Sequence, residues 1–365
     1  MKITCQTQAL HAAFQIVGSV VQQRPTRPIL ATVLLKAADG RLELHATDLE
    51  VSIRYEVVNA IIEEPGQAAV PQAKLASILR ETTDENVAIA TEDRHCVLTT
   101  ADSVFRLPTE VAEEFPEIPV LTEERAYDLD RAEFAEMVSK TSFAAHKGKH
   151  RYALNGVLLV IKPTKVRMVA TDGRRLAHIE KKGKNAAGAD ESVIVPTKGL
   201  DQILKVLTDQ DEKIRLNVQE NQLLAKTSRA VVAAKLVEGH FPPYESVIPT
   251  NCDKKVEFER ERFFSAVRRT ALMTSEESGS ILVHVEDGKM RVSSAAPETG
   301  EARVELPVDY KGDAFEVGFN PEFLTEFLRA VEDEKIKVEF RDSTSAGLFR
   351  AGKDFIYVVM PVGRE

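Results

Sequence analysis

The chain has 365 residues, 43% of them hydrophobic and 29% charged, with a formal net charge of −9. That length exceeds one ordinary core and sets two or three domains as the expectation, in a composition typical of soluble globular proteins. The acidic balance argues against holding nucleic acid by bulk electrostatics, so a DNA-related role requires segregated charge or a hold other than affinity.

Taken in order, the chain opens on Met1-Lys-Ile-Thr-Cys-Gln6, which carries no apolar export segment. No apolar run approaches a membrane span. Cys5, Cys96 and Cys252 lie far apart with no CxxC spacing and read as reduced thiols of a cytoplasmic protein. An amphipathic helix follows, with Leu10, Phe14 and Val17 on one face. A strand, a turn at Ala38-Asp39-Gly40 and a second strand then end in Thr47-Asp48.

This order recurs. A second helix stripe (Phe134, Met137, Val138, Thr141) precedes strands around Leu158–Ile161 and Val166–Ala170, ending in Thr171-Asp172-Gly173-Arg174-Arg175-Leu176. A third stripe (Phe263, Phe264, Val267, Ala271) precedes Ile281–Val285, a turn at Asp287-Gly288 and Met290–Ser294. Each copy also carries a proline, then an amphipathic helix, an acidic turn and a strand. Those prolines, Pro71, Pro196 and Pro321, stand 125 residues apart both times (196 − 71 and 321 − 196). Each suits the first turn of a helix, where the missing N–H is no loss. Phe115-Pro116 with Ile118-Pro119, and Phe241-Pro242 with Ile248-Pro249, close the first two copies. The expected architecture is α+β: three repeated two-layer domains at 1–121, 122–250 and 251–365.

The bland reading of Thr171–Leu176 is a solvated turn bent at Asp-Gly. The functional reading is a rim on which Arg175 holds a carboxylate or backbone oxygens. An apolar floor would come from Pro242, Val247 and Val358-Val359-Met360-Pro361. The basic loop Lys147-Gly-Lys149-His-Arg151 is either solvated or a phosphate contact. Arg24 and Lys198 gain weight only because the repeat places both at helix ends. His146 and His150 are i, i+4 neighbours, but in a Lys-rich loop that repels a metal cation. No phosphate loop, dinucleotide fingerprint, zinc-protease helix or nucleophile elbow is present. Nothing assembles an acid, a base and a nucleophile, and no cofactor is implied.

With these copies in place, Arg24-Pro-Thr…Pro28-Ile-Leu30, Ala46-Thr-Asp-Leu-Glu50, Tyr152-Ala-Leu-Asn-Gly156, Ala170-Thr-Asp-Gly-Arg-Arg-Leu-Ala177, Phe241-Pro-Pro-Tyr244 and Tyr357-Val-Val-Met-Pro361 together resemble the bacterial DNA sliding clamp family over essentially the whole chain. The resemblance implies a six-domain ring made by a head-to-tail homodimer, with helices lining the hole and sheets outside. Duplex DNA is then held by topology, which reconciles a DNA role with the acidic charge. It implies DNA-facing residues Arg24, Lys74, Arg80, Lys147, Lys149 and Lys198, and dimer contacts from Lys74, Phe105 and Leu107 to Leu272 and Met273. It also implies a pocket for a short peptide carried by the polymerase, the clamp loader and repair proteins. That pocket is Arg151, Leu154, Thr171, Gly173, Arg175, Leu176, Pro242, Val247, Val358, Val359, Met360 and Pro361. Two other readings stand against this one. An enzyme with a site between repeated domains predicts turnover in a cleft near Arg175. A sequence-specific DNA binder predicts salt-sensitive affinity for linear duplex.

Overall fold

A computed structural model describes residues 1–122, 126–148, 153–183, 190–274, 279–296 and 300–362. Among these are six helices: α1 (Thr7–Gly18), α2 (Gln72–Glu81), α3 (Arg131–Ser139), α4 (Thr197–Val206), α5 (Arg260–Ala271) and α6 (Pro321–Ala330). The apolar stripes are what these helices bury: Leu10, Phe14 and Val17 on α1, Phe134, Met137 and Val138 on α3, and Phe263 and Val267 on α5. The stripe of α5 is narrower than expected, because Phe264 and Ala271 are only half-buried. The repeating prolines also sit differently from one another. Pro321 is the first helical residue, whereas Pro71 and Pro196 are the N-caps of α2 and α4 and the last residues of the preceding strands. Their fixed φ, −59° and −58°, suits an extended residue as well as a helical one, so either place is open to proline.

The chain forms two compact units. In the first, the described residues of 1–134 and 195–236, a five-stranded sheet runs Ile61–Glu64, Lys2–Gln6, Asn86–Glu92, His95–Thr99 and Val104–Pro108. An eight-stranded sheet runs Ala126–Asp130, Lys213–Gln219, Gln222–Lys226, Ala230–Lys235, Val51–Val57, Arg41–Thr47, Thr32–Ala38 and Gly66–Pro71. This sheet crosses the sequence repeats: Val231 pairs with Arg54. Helix α1 packs on Arg41–Thr47 and Val51–Val57, and α4 packs on Ala230–Lys235. A Cβ added at Gly199 would stand 2.5 Å from that of Ala234, so glycine is what lets α4 approach its strand.

In the second unit, the described residues of 135–183, 190–194 and 237–362, an eight-stranded sheet runs Glu191–Pro196, Gly156–Lys162, Lys165–Thr171, Arg175–Lys182, Phe355–Val359, Gly347–Ala351, Lys335–Phe340 and Lys254–Glu259. A four-stranded sheet runs Gly300–Pro307, Lys289–Ala296, Ile281–Glu286 and Phe315–Phe319. Here α5 packs on Gly300–Pro307 and Lys289–Ala296, and α6 packs on α5. The core is aromatic. Phe327 of α6 is fully buried and stacks on Tyr357 at 4.8 Å, with Phe349 and Phe355 around it. Burying one such ring contributes roughly 1.5–3 kcal/mol. Among the described residues no helix is long and apolar enough to cross a membrane.

Candidate functional site

The site is built on the turn between Lys165–Thr171 and Arg175–Lys182. Thr171 Oγ1 donates to the carbonyl of Arg175 (2.6 Å) and accepts from the Gly173 N–H (3.1 Å). Asp172 Oδ1 accepts from the N–H groups of Arg174 (2.9 Å) and Arg175 (3.1 Å). Two short polar side chains thus satisfy the turn's backbone. Gly173 adopts φ +89°, a left-handed position that a side chain resists. The same device occurs at Thr47-Asp48, where Asp48 Oδ1 accepts from Glu50 (3.0 Å) and Val51 (2.7 Å). There Leu49 takes the left-handed position, at φ +74°.

Beside the second of these turns lies a cavity of about 280 Å³. Leu154, Thr171, Gly173, Arg174, Arg175, Leu176, Pro242, Pro243, Tyr244, Val247, Val358 and Met360 line it. Its base is one hydrophobic cluster in which Leu176 and Val358, direct cross-strand partners, meet Leu158, Val169, Tyr244 and Leu348. Met360 and Val247 remain about half exposed at the mouth, at 48% and 51%. The Met360 N–H donates to the Arg174 carbonyl (2.8 Å), which anchors the chain's last described segment to the turn. Such a slot takes apolar side chains, while the turn's backbone and the exposed Arg174 supply polar orientation.

Of the residues expected here, Val359 and Pro361 are not in the lining. Alternation along Phe355–Val359 turns Val358 to the cavity and Val359, fully buried, to the opposite face. Arg151 lies outside the described residues. Arg174, Pro243 and Tyr244 line the cavity although the expected pocket set did not include them. Tyr244 had a legible signal, since it directly follows the two prolines of the wall, and its hydroxyl accepts from Arg167, itself paired with Glu180 at 2.7 Å.

Arg175 corrects an expectation. Its backbone is in the rim, but its guanidinium is turned inward and fully engaged. It donates to Asp172 Oδ2 (3.0 Å), to the Phe143 carbonyl (2.8 Å) and to Glu326 of α6. It also lies 4.4 Å from the centroid of the Phe323 ring. Burial alone would lower its pKa, yet Tyr357 and Glu326 outweigh this and raise it. The reason is elementary: two mostly buried carboxylates require a cation. Arg174, one residue earlier and exposed, is left as the charged group at the mouth.

The basic residues expected to face DNA are distributed as follows. Arg24, Lys74 and Arg80 are exposed on the first unit, with Lys74 and Arg80 on α2. Arg80 contacts Glu81 at 2.9 Å. Lys147 is exposed on the second unit, 3.8 Å from Glu326. Lys149 lies outside the described residues. Lys198 differs from a free cation, because its ammonium is held by the buried Asp48 and lies 3.4 Å from Glu50. Desolvation lowers its pKa, and the Asp48 hydrogen bond together with the charges of Asp48 and Glu50 more than reverses this. It therefore locks the Thr47-Asp48 turn to α4.

Two of the sheet edges among the described residues bear on the expected dimer contact. Val104–Pro108 ends the five-stranded sheet, with Val104 61% and Phe105 37% exposed and Leu107 half-buried. Gly300–Pro307 ends the four-stranded sheet. Leu272, at the C-cap of α5, is 75% exposed, and Met273 beside it is half-buried. Unpaired edges with exposed apolar side chains are templates for pairing with another chain.

Three family descriptions match the chain in succession. They are the N-terminal domain of the DNA polymerase III beta subunit over residues 1–119, its central domain over 128–243 and its C-terminal domain over 245–363. The chain belongs to the DNA polymerase III beta subunit family. Among curated family members, the beta sliding clamp of Pseudomonas aeruginosa is 33% identical over 365 residues, covering 99% of this chain and 100% of the relative. That of Escherichia coli is 32% identical with the same coverage. Among solved structures, the Pseudomonas aeruginosa subunit bound to griselimycin superposes with a TM-score of 0.94 at 32% identity, covering 100% of both chains. The Bacillus subtilis sliding clamp, at 23% identity and a TM-score of 0.95 over 100% of both chains, adds likeness of fold.

Proposed function

We propose that this protein is the processivity clamp of a replicative DNA polymerase: a cytoplasmic ring, without turnover of its own, that encircles duplex DNA and tethers partner proteins through the cavity beside Thr171–Leu176. The observation that carries this reading is the end-to-end match to all three domains of the beta subunit family. The net charge of −9 supports it too. A ring that holds DNA by enclosure needs no tight phosphate binding, and tight binding would oppose sliding. Arg24, Lys74, Arg80 and Lys147 are the residues proposed to face the duplex. The ring itself is a homodimer in which Val104–Pro108 of one protomer meets the Gly300–Pro307 edge of the other, with Phe105 and Leu107 against Leu272 and Met273. This contact is heterologous, and two copies close it.

The deciding experiment is retention on DNA. The protein is loaded onto a nicked circular duplex with its clamp loader and ATP, washed in high salt, and half the sample is linearised. Protein should stay on the circles and leave the cut molecules. Loss from both after verified loading, or retention on both, would remove topology as the hold.

The dimer has its own test. Leu272→Ala with Met273→Ala should shift sedimentation from near twice 40.4 kDa towards the single-chain mass. The change should leave each protomer folded, because Leu272 is 75% exposed. A variant as tightly dimeric as the parent would place the interface elsewhere.

A further inference from the structure

We infer that the first unit carries a second binding site, a cationic crevice that takes an acidic, apolar-tipped peptide segment of a partner protein. The crevice has a volume of about 220 Å³ and opens on the eight-stranded sheet. Strand alternation sets which face it occupies. Leu42, Leu44, Ile53 and Tyr55 are buried on the side against which α1 packs. Arg41, Glu43, Arg54 and Glu56 therefore stand on the opposite, helix-free side. The register lays one row straight across four strands: His45, Arg54, Val231 and Lys226 are successive cross-strand partners.

The charge in the crevice is unbalanced. Arg41, Arg54, Lys226 and Arg229 line it against two carboxylates, Glu43 and Glu56. Both carboxylates already have neighbours. Glu43 lies 2.9 Å from His45, and Glu56 lies 3.8 Å from Arg41. The His45 hydrogen bond, followed by the charges of His45, Arg54 and Lys36, holds Glu43 below the ordinary carboxylate range. Arg229 donates to Gln210, a neutral group. Arg54 and Lys226 have no ion-pair partner among the described residues, and Arg54 is half-buried. A partly desolvated guanidinium that no carboxylate contacts directly, Glu43 acting on it only through its charge, favours an incoming carboxylate, which it binds in a forked geometry. Leu121, packed on Leu224, Val231 and Ala233, adds an apolar ledge beside the cations.

This mix of charge and ledge fits a short segment of Asp or Glu next to Leu or a similar side chain. The choice of peptide over nucleic acid rests on the proposed ring, in which DNA runs along the helices and this helix-free face is turned from it. The site is separate from the cavity at Met360, so one chain would offer partners an apolar and a cationic foothold.

The test uses the full chain and a fluorescein-labelled peptide, Glu-Asp-Leu-Glu-Asp-Leu, followed by anisotropy at low salt. The parent should bind, with affinity falling as salt rises. Arg54→Glu with Lys226→Glu should weaken binding at least tenfold. Arg54→Gln with Lys226→Gln, which keeps size and removes charge, should weaken it in the same direction and guards against misfolding. Met360→Asp should leave this binding unchanged, which separates failure here from failure of the Met360 pocket. The proposal falls if the parent does not bind, if both double variants bind as the parent does, or if a Lys-for-acid version of the peptide binds equally. It also falls if a duplex oligonucleotide displaces the peptide and itself loses affinity on the charge-removed variant, since the crevice would then be a nucleic-acid contact.

Discussion

Met360→Asp should abolish binding of a Leu- and Phe-bearing clamp peptide while leaving the proposed dimer intact. The reason is the chemistry of the cavity mouth. Met360 is 48% exposed in the free chain, so an aspartate there is solvated and the fold does not notice it. When a ligand fills the slot, the same carboxylate is pressed against Leu176, Pro242, Val247 and Val358, and the cation near it is the exposed, solvated Arg174 at the mouth, which offsets only part of the desolvation. Desolvating a charge against apolar groups costs several kcal/mol; with part of it offset by Arg174, about 3 kcal/mol is expected, which corresponds to a loss of about a hundredfold in affinity. Isothermal titration of the variant, with sedimentation as the control, reads both halves of the expectation. Peptide affinity equal to the parent's would refute the pocket.

Arg175→Ala should act on stability first. The substitution leaves Asp172 and Glu326, whose side chains are 15% and 18% exposed, without their shared cation, and removes the group packed over Phe323. Breaking a buried pair from one side costs about 3–5 kcal/mol; because these carboxylates keep some solvent contact, about 3 kcal/mol is expected. Urea denaturation measures it. Adding Glu326→Gln to Arg175→Ala should recover part of the loss, because one stranded charge is gone. Peptide affinity should fall too, through the turn that Arg175 braces. If Arg175→Ala instead proved as stable as the parent but failed to bind peptide, the guanidinium would be a direct ligand contact and its inward bonding would be incidental.

Much of the fold was legible without coordinates. The helix stripes at Leu10, Phe134 and Phe263, the 125-residue spacing of Pro71, Pro196 and Pro321, and the turns at Asp39-Gly40 and Asp287-Gly288 are local signals, set by side-chain periodicity and by residues that tolerate φ > 0. Asp39, Gly40 and Gly288 do take φ of +51°, +73° and +70°. The pocket was partly legible for the same reason: Thr171–Leu176 and Met360 are punctuation and apolar residues at strand ends, and Pro242 and Val247 lie in the proline-marked loop between Ala230–Lys235 and Lys254–Glu259.

What sequence could not convey is direction. In Arg174-Arg175, two identical side chains adjoin. Only the strand start at Arg175 sends one into Asp172, Glu326 and Phe143 while the other stays in solvent. Val358 and Val359 are likewise identical neighbours that face opposite sides of a sheet. Lys198 read as a free cation because its partner, Asp48, lies 150 positions away in sequence. The sequence by itself determined the α+β repeat, the two helices of each copy and the family, because periodicity and turn chemistry act over a few residues. The tertiary structure alone decided which half of the central repeat joins which sheet, which arginine is spent on the core and which cations stay unpaired. Those outcomes depend on cross-strand register and on charges that meet only when distant segments are brought together.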